Sequence, residues 1–210
     1  REIDCGGQGT EEWLKARLGV PSASNFSKVV TTKGQRSTSF MGYVNALIAE
    51  KLTGDPTYVK ITEPMERGTS LEDEARAMYQ LIEEVDVRQV DFIKHPNMEV
   101  GCSPDGLIDT KCDHGLIGGL EIKCPLQGTH VEYLRAGKVP SKYMLQVQGC
   151  MFVTGRGYWD FMSYHPKMKP LIVRTYRDDD LINELAVHLQ EAVLLIEDGV
   201  DKFNWNGLFS

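Results

Sequence analysis

The sequence predicts an α/β protein in which a central mixed β-sheet is flanked by helices. Amphipathic helical patterns alternate along the chain with short runs of β-branched and aromatic residues. Gly and Pro separate the two kinds of pattern, as they do between regular elements. The length of 210 residues suits one large domain, so we expect a single domain over residues 1–210.

Six segments show apolar residues at helical spacing. Thr69 or Ser70 is expected to cap the third helix, and Gly54 stands where the second should end. In the first helix, Trp13 and Leu14 are expected to face inward with Leu18. The predicted helices cover residues 11–18, 39–53, 71–82, 128–136, 141–153 and 178–196.

Runs rich in Val, Ile, Phe and Tyr predict the strands between these helices. The segment His114–Gly119 supplies a turn, and the last two strands form a hairpin. Residues 31–37 read as a loop, and the aromatic tail 203–209 is expected to pack on the body or on another subunit. The predicted strands lie at 85–90, 92–93, 100–102, 120–124, 158–164 and 171–176.

The cysteines and the hydropathy exclude several classes of protein. The five cysteines include no Cys-x-x-Cys pair, so free thiols are expected. A zinc site is conceivable, but its spacing differs from the common zinc modules; its ligands would be Cys102, Cys112, His114 and Cys124. No apolar run approaches the roughly 20 residues of a membrane helix, and the first residues lack a signal-peptide pattern. We therefore expect an intracellular protein without membrane attachment.

Charge is distributed unevenly along the chain. The net charge is −7, yet the segment 133–177 carries eight Lys and Arg residues and a single acid. An acidic body with one basic surface would give this asymmetry and would suit nucleic acid. A chance excess on a solvated face would give it equally well.

One group of polar residues in the middle of the chain is a candidate catalytic site. The segment Ser103–Gly106 ends a predicted strand, and Glu121 follows Asp105 by sixteen residues in the next strand. Because alternate side chains of a strand share a face, Glu121 and Lys123 project together while Ile122 points into the core. Pro-Asp-Gly is also a common turn sequence, and a Glu and Lys two apart are often a solvated pair.

These residue types suit phosphodiester hydrolysis with a metal. Mg²⁺ prefers oxygen ligands. Asp105 and Glu121 can supply carboxylate oxygens, and the backbone carbonyl of Ile122 can add another oxygen. A bound ion lowers the pKa of its water and neutralises phosphate charge. Lys123 can orient the attacking water or stabilise the charge that develops.

The candidate site and its surroundings resemble the lambda-phage exonuclease family of restriction-endonuclease-like nucleases. The signature is Gly101–Leu107 followed by Leu120–Pro125, which is similar to the Pro-Asp…Glu-x-Lys pattern of those enzymes. Further matching segments occur in the same order along nearly the whole chain: Trp13–Val20 with Ser22–Ser24, Arg67–Glu72, Tyr143–Gln148 and Tyr164–Met168. The resemblance implies a restriction-endonuclease-like core.

The resemblance implies a role for each matching residue. It makes Asp105, Glu121 and the Ile122 carbonyl metal ligands, Lys123 the catalytic lysine, and Glu72 a residue that approaches a second metal directly or through water. A second group would bind a terminal 5′-phosphate or lie near it; its members are Arg17, Ser24, Ser103 and Gln146.

The activity implied by the resemblance is digestion of linear double-stranded DNA from 5′-phosphorylated ends. The products would be mononucleotides and a 3′ single strand, used for recombination with a single-strand annealing protein. Two Mg²⁺ ions are implied, with Mn²⁺ as a substitute, and the assembly would be a homotrimeric ring. The setting would be the cytoplasm of a bacterial cell, with phage or prophage origin.

Three other classes of protein are alternatives to an exonuclease of this family. An endonuclease of the same fold would keep Asp105, Glu121 and Lys123 but would not need Arg17 as a phosphate anchor. A DNA-end-binding module would keep the fold and lack catalysis, although all three signature residues are present. An iron–sulfur nuclease needs a C-terminal cysteine group, and no cysteine follows Cys150.

Overall fold

The structure of the chain is a computed structural model, which describes residues 1–57 and 63–204, with side chains in the second range described from residue 66. Its strands are β1 (Glu2–Ile3), β2 (Phe92–Lys94), β3 (Gly101–Cys102), β4 (Gly106–Ile108), β5 (Gly118–Lys123), β6 (Tyr158–Ser163) and β7 (Leu171–Tyr176). Its helices are α1 (Glu11–Arg17), α2 (Phe40–Thr53), α3 (Glu63–Glu83), α4 (Gln127–Ala136), α5 (Ser141–Thr154) and α6 (Asp179–Phe203), with a 3₁₀ helix at Ala23–Lys28.

The strands form two sheets. The larger sheet is mixed and has the order β4-β5-β6-β7; β5 and β6 are parallel and the other two pairs are antiparallel. Helices α4 and α5 connect β5 to β6, because parallel neighbours need a long crossover. The smaller sheet is antiparallel, with the order β1-β2-β3. The predicted α/β class with a mixed sheet is therefore confirmed, and the second sheet is additional.

Strand β5 lies inside the larger sheet and is covered on both faces. A Cβ atom at Gly118 would lie 2.2 Å from the Tyr158 ring, and one at Gly119 would lie 2.4 Å from the Trp159 ring. Only glycine allows this close approach of backbone and aromatic ring. The packing holds the amino-terminal half of β5 in place, and its other half carries Glu121 and Lys123.

Helix α5 packs between the 3₁₀ helix and the strands β3 and β6. A Cβ atom at Gly149 would lie 2.4 Å from the Phe26 ring, so the two helices meet almost backbone to ring. Helices α2 and α6 pack against each other on the outside of the main core. This arrangement brings α1, the 3₁₀ helix and α5 close to the ends of the strands.

Several predicted elements are confirmed and others were wrong. Helix α3 is already formed at Glu63, so Thr69 and Ser70 lie within it and do not cap it. The strand predicted at 85–90 is reduced to a single bridge between Arg88 and Leu107. Strands β1 and β4 were not predicted, because two or three residues are too few to show alternation.

The expected inward face of the first helix holds for Trp13, which packs against a small buried cluster, but not for Leu14. No residue of α1 is fully buried, and Leu14 is 39% exposed. Phe203, at the start of the aromatic tail, is 59% exposed. Residues 205–209 of that tail lie outside the described residues. No helix in the described part of the chain is long and apolar enough to cross a membrane.

Part of the basic segment serves the fold. Arg156 is buried and donates to the carbonyls of Ile108 (2.8 Å) and Gly118 (2.7 Å), which ties β4 to β5. Arg174 pairs with Asp160, and Arg177 donates to the carbonyl of Met151. Three of the eight cations of this segment therefore make contacts that hold the fold together. The other five are exposed: Arg135, Lys138, Lys142, Lys167 and Lys169.

We predict that Asp160→Asn destabilises the fold by about 3 kcal/mol, because it breaks a buried ion pair. Asp160 is fully buried in β6 and accepts hydrogen bonds from Tyr79 (2.5 Å) and Arg174 (2.7 and 2.9 Å). Urea unfolding followed by circular dichroism measures the change. Asp113→Asn, at an exposed position, is the control, and equal midpoints for the two variants would refute the prediction.

Candidate active site

The pairing of β4 with β5 brings the two predicted carboxylates together. Gly106 lies opposite Leu120 in the register, so Asp105 is adjacent to the start of β4 and faces the second half of β5. Its Oδ2 accepts a hydrogen bond of 2.6 Å from the backbone N–H of Ile122. Asp105 was expected to end a strand; it lies in the short connection between β3 and β4, and its proximity to Glu121 is as expected.

Glu121 is the most buried acid of the site, with 1% of its surface exposed. Its Oε1 accepts a hydrogen bond of 2.6 Å from Gln146 on α5 and pairs with the ammonium group of Lys123. Its Oε2 is buried and has no hydrogen-bond partner among the described residues. A buried acceptor without a donor is costly, so this oxygen is prepared for a cation or a proton.

Burial and mutual repulsion disfavour the charged form of the carboxylates. Burial raises the pKa of Glu121 to about 7 against the attraction of Lys123, and Asp105 adds to the rise. Burial also raises the pKa of Asp105, against Lys123 and the N–H of Ile122. Burial, then repulsion from Asp105, raises the pKa of Glu72 to about 7. The site thus concentrates negative charge that needs a counter-ion.

Lys123 supplies one fixed positive charge to this group. Burial works against its charged form, but attraction by Glu121 and Asp105 outweighs burial and raises the pKa of Lys123. The ammonium group also lies 5.4 Å from the centre of the Tyr143 ring, close enough for a cation–π attraction. Lys123 is therefore protonated at ordinary pH, which suits stabilising charge and does not suit accepting a proton.

Arg17 forms a cationic pocket beside the carboxylates. One guanidinium nitrogen donates to Ser103 Oγ and another to Ser22 Oγ, both at 3.3 Å. The guanidinium carbon lies 4.0 Å above the centre of the Trp13 ring, and Ser24 Oγ is 3.3 Å from Ser22 Oγ. Burial lowers the pKa of Arg17, but a guanidinium keeps its charge in proteins. Hydroxyl groups around a fixed cation suit a phosphate.

A cavity of about 170 Å³ joins this pocket to the carboxylates. Seven of the nine residues predicted for the site line it: Arg17, Ser24, Ser103, Asp105, Glu121, Lys123 and Gln146. The other two, Glu72 and Ile122, lie next to it through their interactions with Asp105. The predicted site residues are thus brought together around one space.

The donor set fits a divalent cation in part. Asp105 and Glu121 offer carboxylate oxygens on neighbouring strands, and the unpartnered Oε2 of Glu121 is an oxygen that a hard cation would satisfy. In the described ranges, however, no three His, Cys, Asp or Glu side chains form a cluster that could hold a metal. Glu72, whose pKa is raised in part by Asp105, stays a predicted neighbour of a second metal, directly or through water. The zinc ligand set considered from the sequence does not assemble either, and all five cysteines are free thiols.

Sequence reasoning missed several residues around the cavity. Trp13 was expected only to face inward, and its indole N–H also donates to Ser103 Oγ at 3.0 Å. Gln8 and Cys150 line the cavity without having been predicted. The hydrogen bond with Cys102 and burial raise the pKa of Cys150 well above its usual range, which disfavours the thiolate form. The four-residue spacing of Trp13 and Arg17 was a usable signal, because such residues share a helix face.

Two carboxylates and a lysine on paired strands, beside a cationic pocket, define a nuclease with a restriction-endonuclease-like core. Comparison with known families gives the narrower class: residues 12–157 match the YqaJ-like viral recombinase domain. Because this match covers most of the chain, the protein belongs to the YqaJ-like viral recombinase family. Comparison with curated proteins gives no significant match.

Solved structures agree with the family. The chain is similar to the alkaline exonuclease LHK-Exo from Laribacter hongkongensis, with 35% identity, a TM-score of 0.83, and coverage of 95% of this chain and 99% of the other. LHK-Exo in complex with dAMP gives 34% identity, a TM-score of 0.82 and the same coverage. A phage-related exonuclease from Haemophilus somnus 129PT gives 13% identity, a TM-score of 0.67, and coverage of 87% and 96%; it supports the fold alone. The chain is therefore a nuclease of exonuclease type.

We predict that the metal-free protein is most stable near pH 5 and loses stability as the pH rises to about 7. The pKa values of Glu121 and Glu72 are raised from 4.5 to about 7 on folding, so the folded state binds protons more tightly than the unfolded state in this window. Accordingly, Glu121→Gln should raise the melting temperature at about pH 8 by a few degrees.

Thermal unfolding in a chelating buffer at about pH 5.5 and about pH 8 measures the effect. Glu132→Gln, at an exposed position on α4, is the matched control and should melt like the parent chain at both values. A Glu121→Gln protein that melts no higher than the parent at the alkaline value would show that the buried charge carries no cost.

Proposed function

We propose that this exonuclease digests linear double-stranded DNA from the 5′ end. It releases mononucleotides and leaves a 3′ single strand for recombination by annealing. The observation that carries the proposal is the single cavity of about 170 Å³ that joins the Arg17 pocket to the carboxylate and lysine side chains. A terminal phosphate and a cleavable phosphodiester in one cavity is the arrangement that an end-dependent enzyme needs.

The Arg17 pocket is suited to the end of a DNA strand. A terminal phosphate carries more negative charge than an internal phosphodiester, and it can accept from the guanidinium and from Ser24 and Ser103 together. Gln146, which donates to Glu121, lines the same cavity. Bound in this way, the terminal nucleotide would be held with its 3′ linkage near Asp105 and Glu121.

Asp105, Glu121 and the carbonyl of Ile122 would hold the metal. A divalent cation bound there supplies an activated water and neutralises charge on the phosphate. Lys123 remains protonated, so its role is to orient the water and to stabilise the negative charge on the phosphate as it develops. Glu72 would approach a second ion, directly or through water. Nucleases of this family generally use divalent metal ions; we propose two Mg²⁺ ions, with Mn²⁺ as a substitute.

The complex of LHK-Exo with dAMP supports the proposed product. The chain is 34% identical to that protein over nearly its whole length, and dAMP is a nucleoside monophosphate. An enzyme that releases one nucleotide at a time leaves a product of this kind.

The wider setting follows from the resemblance to the lambda-phage exonuclease family. We propose that residues 1–210 form one nuclease domain that assembles as a homotrimeric ring around DNA. A single-strand annealing protein would take up the 3′ strand, and the site of action would be the cytoplasm of a bacterial cell, with phage or prophage origin. The exposed cations Lys138, Lys142 and Lys167 would contact the DNA backbone, in a manner weakened by salt.

We predict magnesium-dependent release of acid-soluble nucleotides from linear duplex DNA with 5′-phosphates, and none from a closed circle. Lys123→Ala should lower kcat by about a thousandfold, because it removes a group that stabilises the developing charge. Lys111→Ala, at an exposed position that does not line the cavity, serves as the control with near-normal kcat. Cleavage of the circle would replace the exonuclease with an endonuclease, and DNA binding without release from any substrate would leave an end-binding module.

We predict that Arg17→Ala lowers the rate on 5′-phosphorylated ends by about thirtyfold, the size expected for losing charge-assisted hydrogen bonds. The rate on 5′-hydroxyl ends should change little, because that substrate offers no terminal phosphate. Matched duplexes that differ only in this phosphate measure the ratio of the two rates. Equal losses on both substrates would remove Arg17 from the proposed end-binding role.

A further inference from the structure

The segment before α1 forms a tight glycine-rich loop against the site. Gly6, Gly7 and Gly9 have positive φ angles of 71°, 114° and 89°, which glycine adopts without strain. The carboxylate of Asp91 accepts from the backbone N–H groups of Cys5 (2.7 Å) and Gly7 (3.1 Å). The loop is thereby fixed to the segment that precedes β2, and Gln8 is presented to the cavity.

Gln8 and Trp13 both bridge the same two segments of backbone. Gln8 Nε2 donates to the carbonyls of Val90 (3.1 Å) and Pro104 (3.0 Å). Trp13 Nε1 donates to the carbonyl of Asp91 (3.0 Å) and to Ser103 Oγ (3.0 Å). Two side chains of the N-terminal segment, Gln8 and Trp13, thus each connect residues 90–91 to residues 103–104.

The bridged carbonyl of Pro104 lies between two functional residues. Ser103 on one side contacts Arg17, and Asp105 on the other side faces Glu121 across the β4–β5 pair. A shift of this peptide moves the hydroxyl group and the carboxylate relative to each other. The Gln8 amide is the side-chain donor that holds this carbonyl among the described residues.

We propose that Gln8 is a positioning residue that sets the spacing between the phosphate contact at Ser103 and the carboxylate of Asp105. The inference rests on the proposed function, because it assigns these two residues to the terminal phosphate and the metal. Gln8 acts through the Pro104 carbonyl and takes no part in bond cleavage. The glycine-rich loop is then a clamp that the catalytic residues require, although it lies almost a hundred residues earlier in the sequence.

The chemistry of the contact favours an amide over other side chains. One NH₂ group has two hydrogens and can serve two carbonyl oxygens at once. Glutamate at this position would turn a carboxylate oxygen toward the same two carbonyls and repel them. Gln8 is exposed as a residue, so its replacement opens no cavity in the core and reports on position with little change in folding.

The test compares Gln8→Leu and Gln8→Glu with the parent chain as magnesium-loaded enzymes. Steady-state digestion of 5′-phosphorylated linear duplex gives kcat and KM, and hydrogen exchange followed by mass spectrometry reports on a peptide covering residues 101–107. Gln190→Leu, at an exposed position on α6, is the matched control. Both Gln8 variants should lose about tenfold in kcat, as small misplacements of reacting groups do, with KM nearly unchanged and faster exchange in residues 101–107.

Normal kcat and normal exchange in Gln8→Leu would overturn the proposal. A raised KM with normal kcat would also overturn it, because Gln8 would then be a substrate-binding residue. If the parent chain digests 5′-phosphate and 5′-hydroxyl ends equally while the Gln8 variants still show faster exchange and lower kcat, the clamp stands. In that case the proposed recognition of the 5′ end is the part that is wrong.

Discussion

The burial of the Glu121 carboxylate is the constraint on which the rest of the site depends. With 1% of its surface exposed, an ionised carboxylate loses most of its hydration, at a cost of several kcal/mol. Lys123 from the same strand and Gln146 from α5 satisfy one of its oxygens. The other oxygen is left without a donor among the described residues. The fold therefore supplies half of what this group needs, and a cation can supply the remainder.

This incomplete compensation explains why stability and function oppose each other at the site. Asp105, Glu121 and Glu72 all have a raised pKa, since burial and mutual repulsion disfavour their charged forms. A site fully neutralised by protein groups would be more stable and would have little affinity for a metal ion. Elsewhere in the sheet the buried charges are satisfied, as Asp160 is by Tyr79 and Arg174. Asp160 therefore belongs to a structural ion pair, whereas Glu121 keeps an oxygen that a ligand can satisfy.

The sequence predicted the centre of the fold better than its edges. Alternation in β5 placed Glu121 and Lys123 on one face, and the spacing to Asp105 brought the carboxylates together, because both depend on local geometry. The strand predicted at 85–90 was wrong. Three valines at near-alternate positions give the same sequence pattern whether the backbone pairs along several residues or at a single bridge. The N-terminal contacts of Trp13 were missed because its partners lie about eighty or ninety residues away. The excess of basic residues in the segment 133–177 did not predict which of them lie on the surface, because Arg156 is buried.

Under the proposed function, the short segment from Ser103 to Asp105 links recognition of a strand end to bond cleavage. Ser103 belongs to the Arg17 pocket, and Asp105 is held by Ile122 N–H through its side chain and by Arg76 through its carbonyl at 3.0 Å. Proline at the middle position has a fixed φ angle and no N–H of its own, so its carbonyl is the group through which neighbours can hold the segment. Because only Pro104 separates the two residues, the position of its peptide sets the spacing between their side chains. Under the proposed function, a DNA end bound at Ser103 is then held at a set distance from the carboxylate, and correct seating of the end becomes a condition for cleavage.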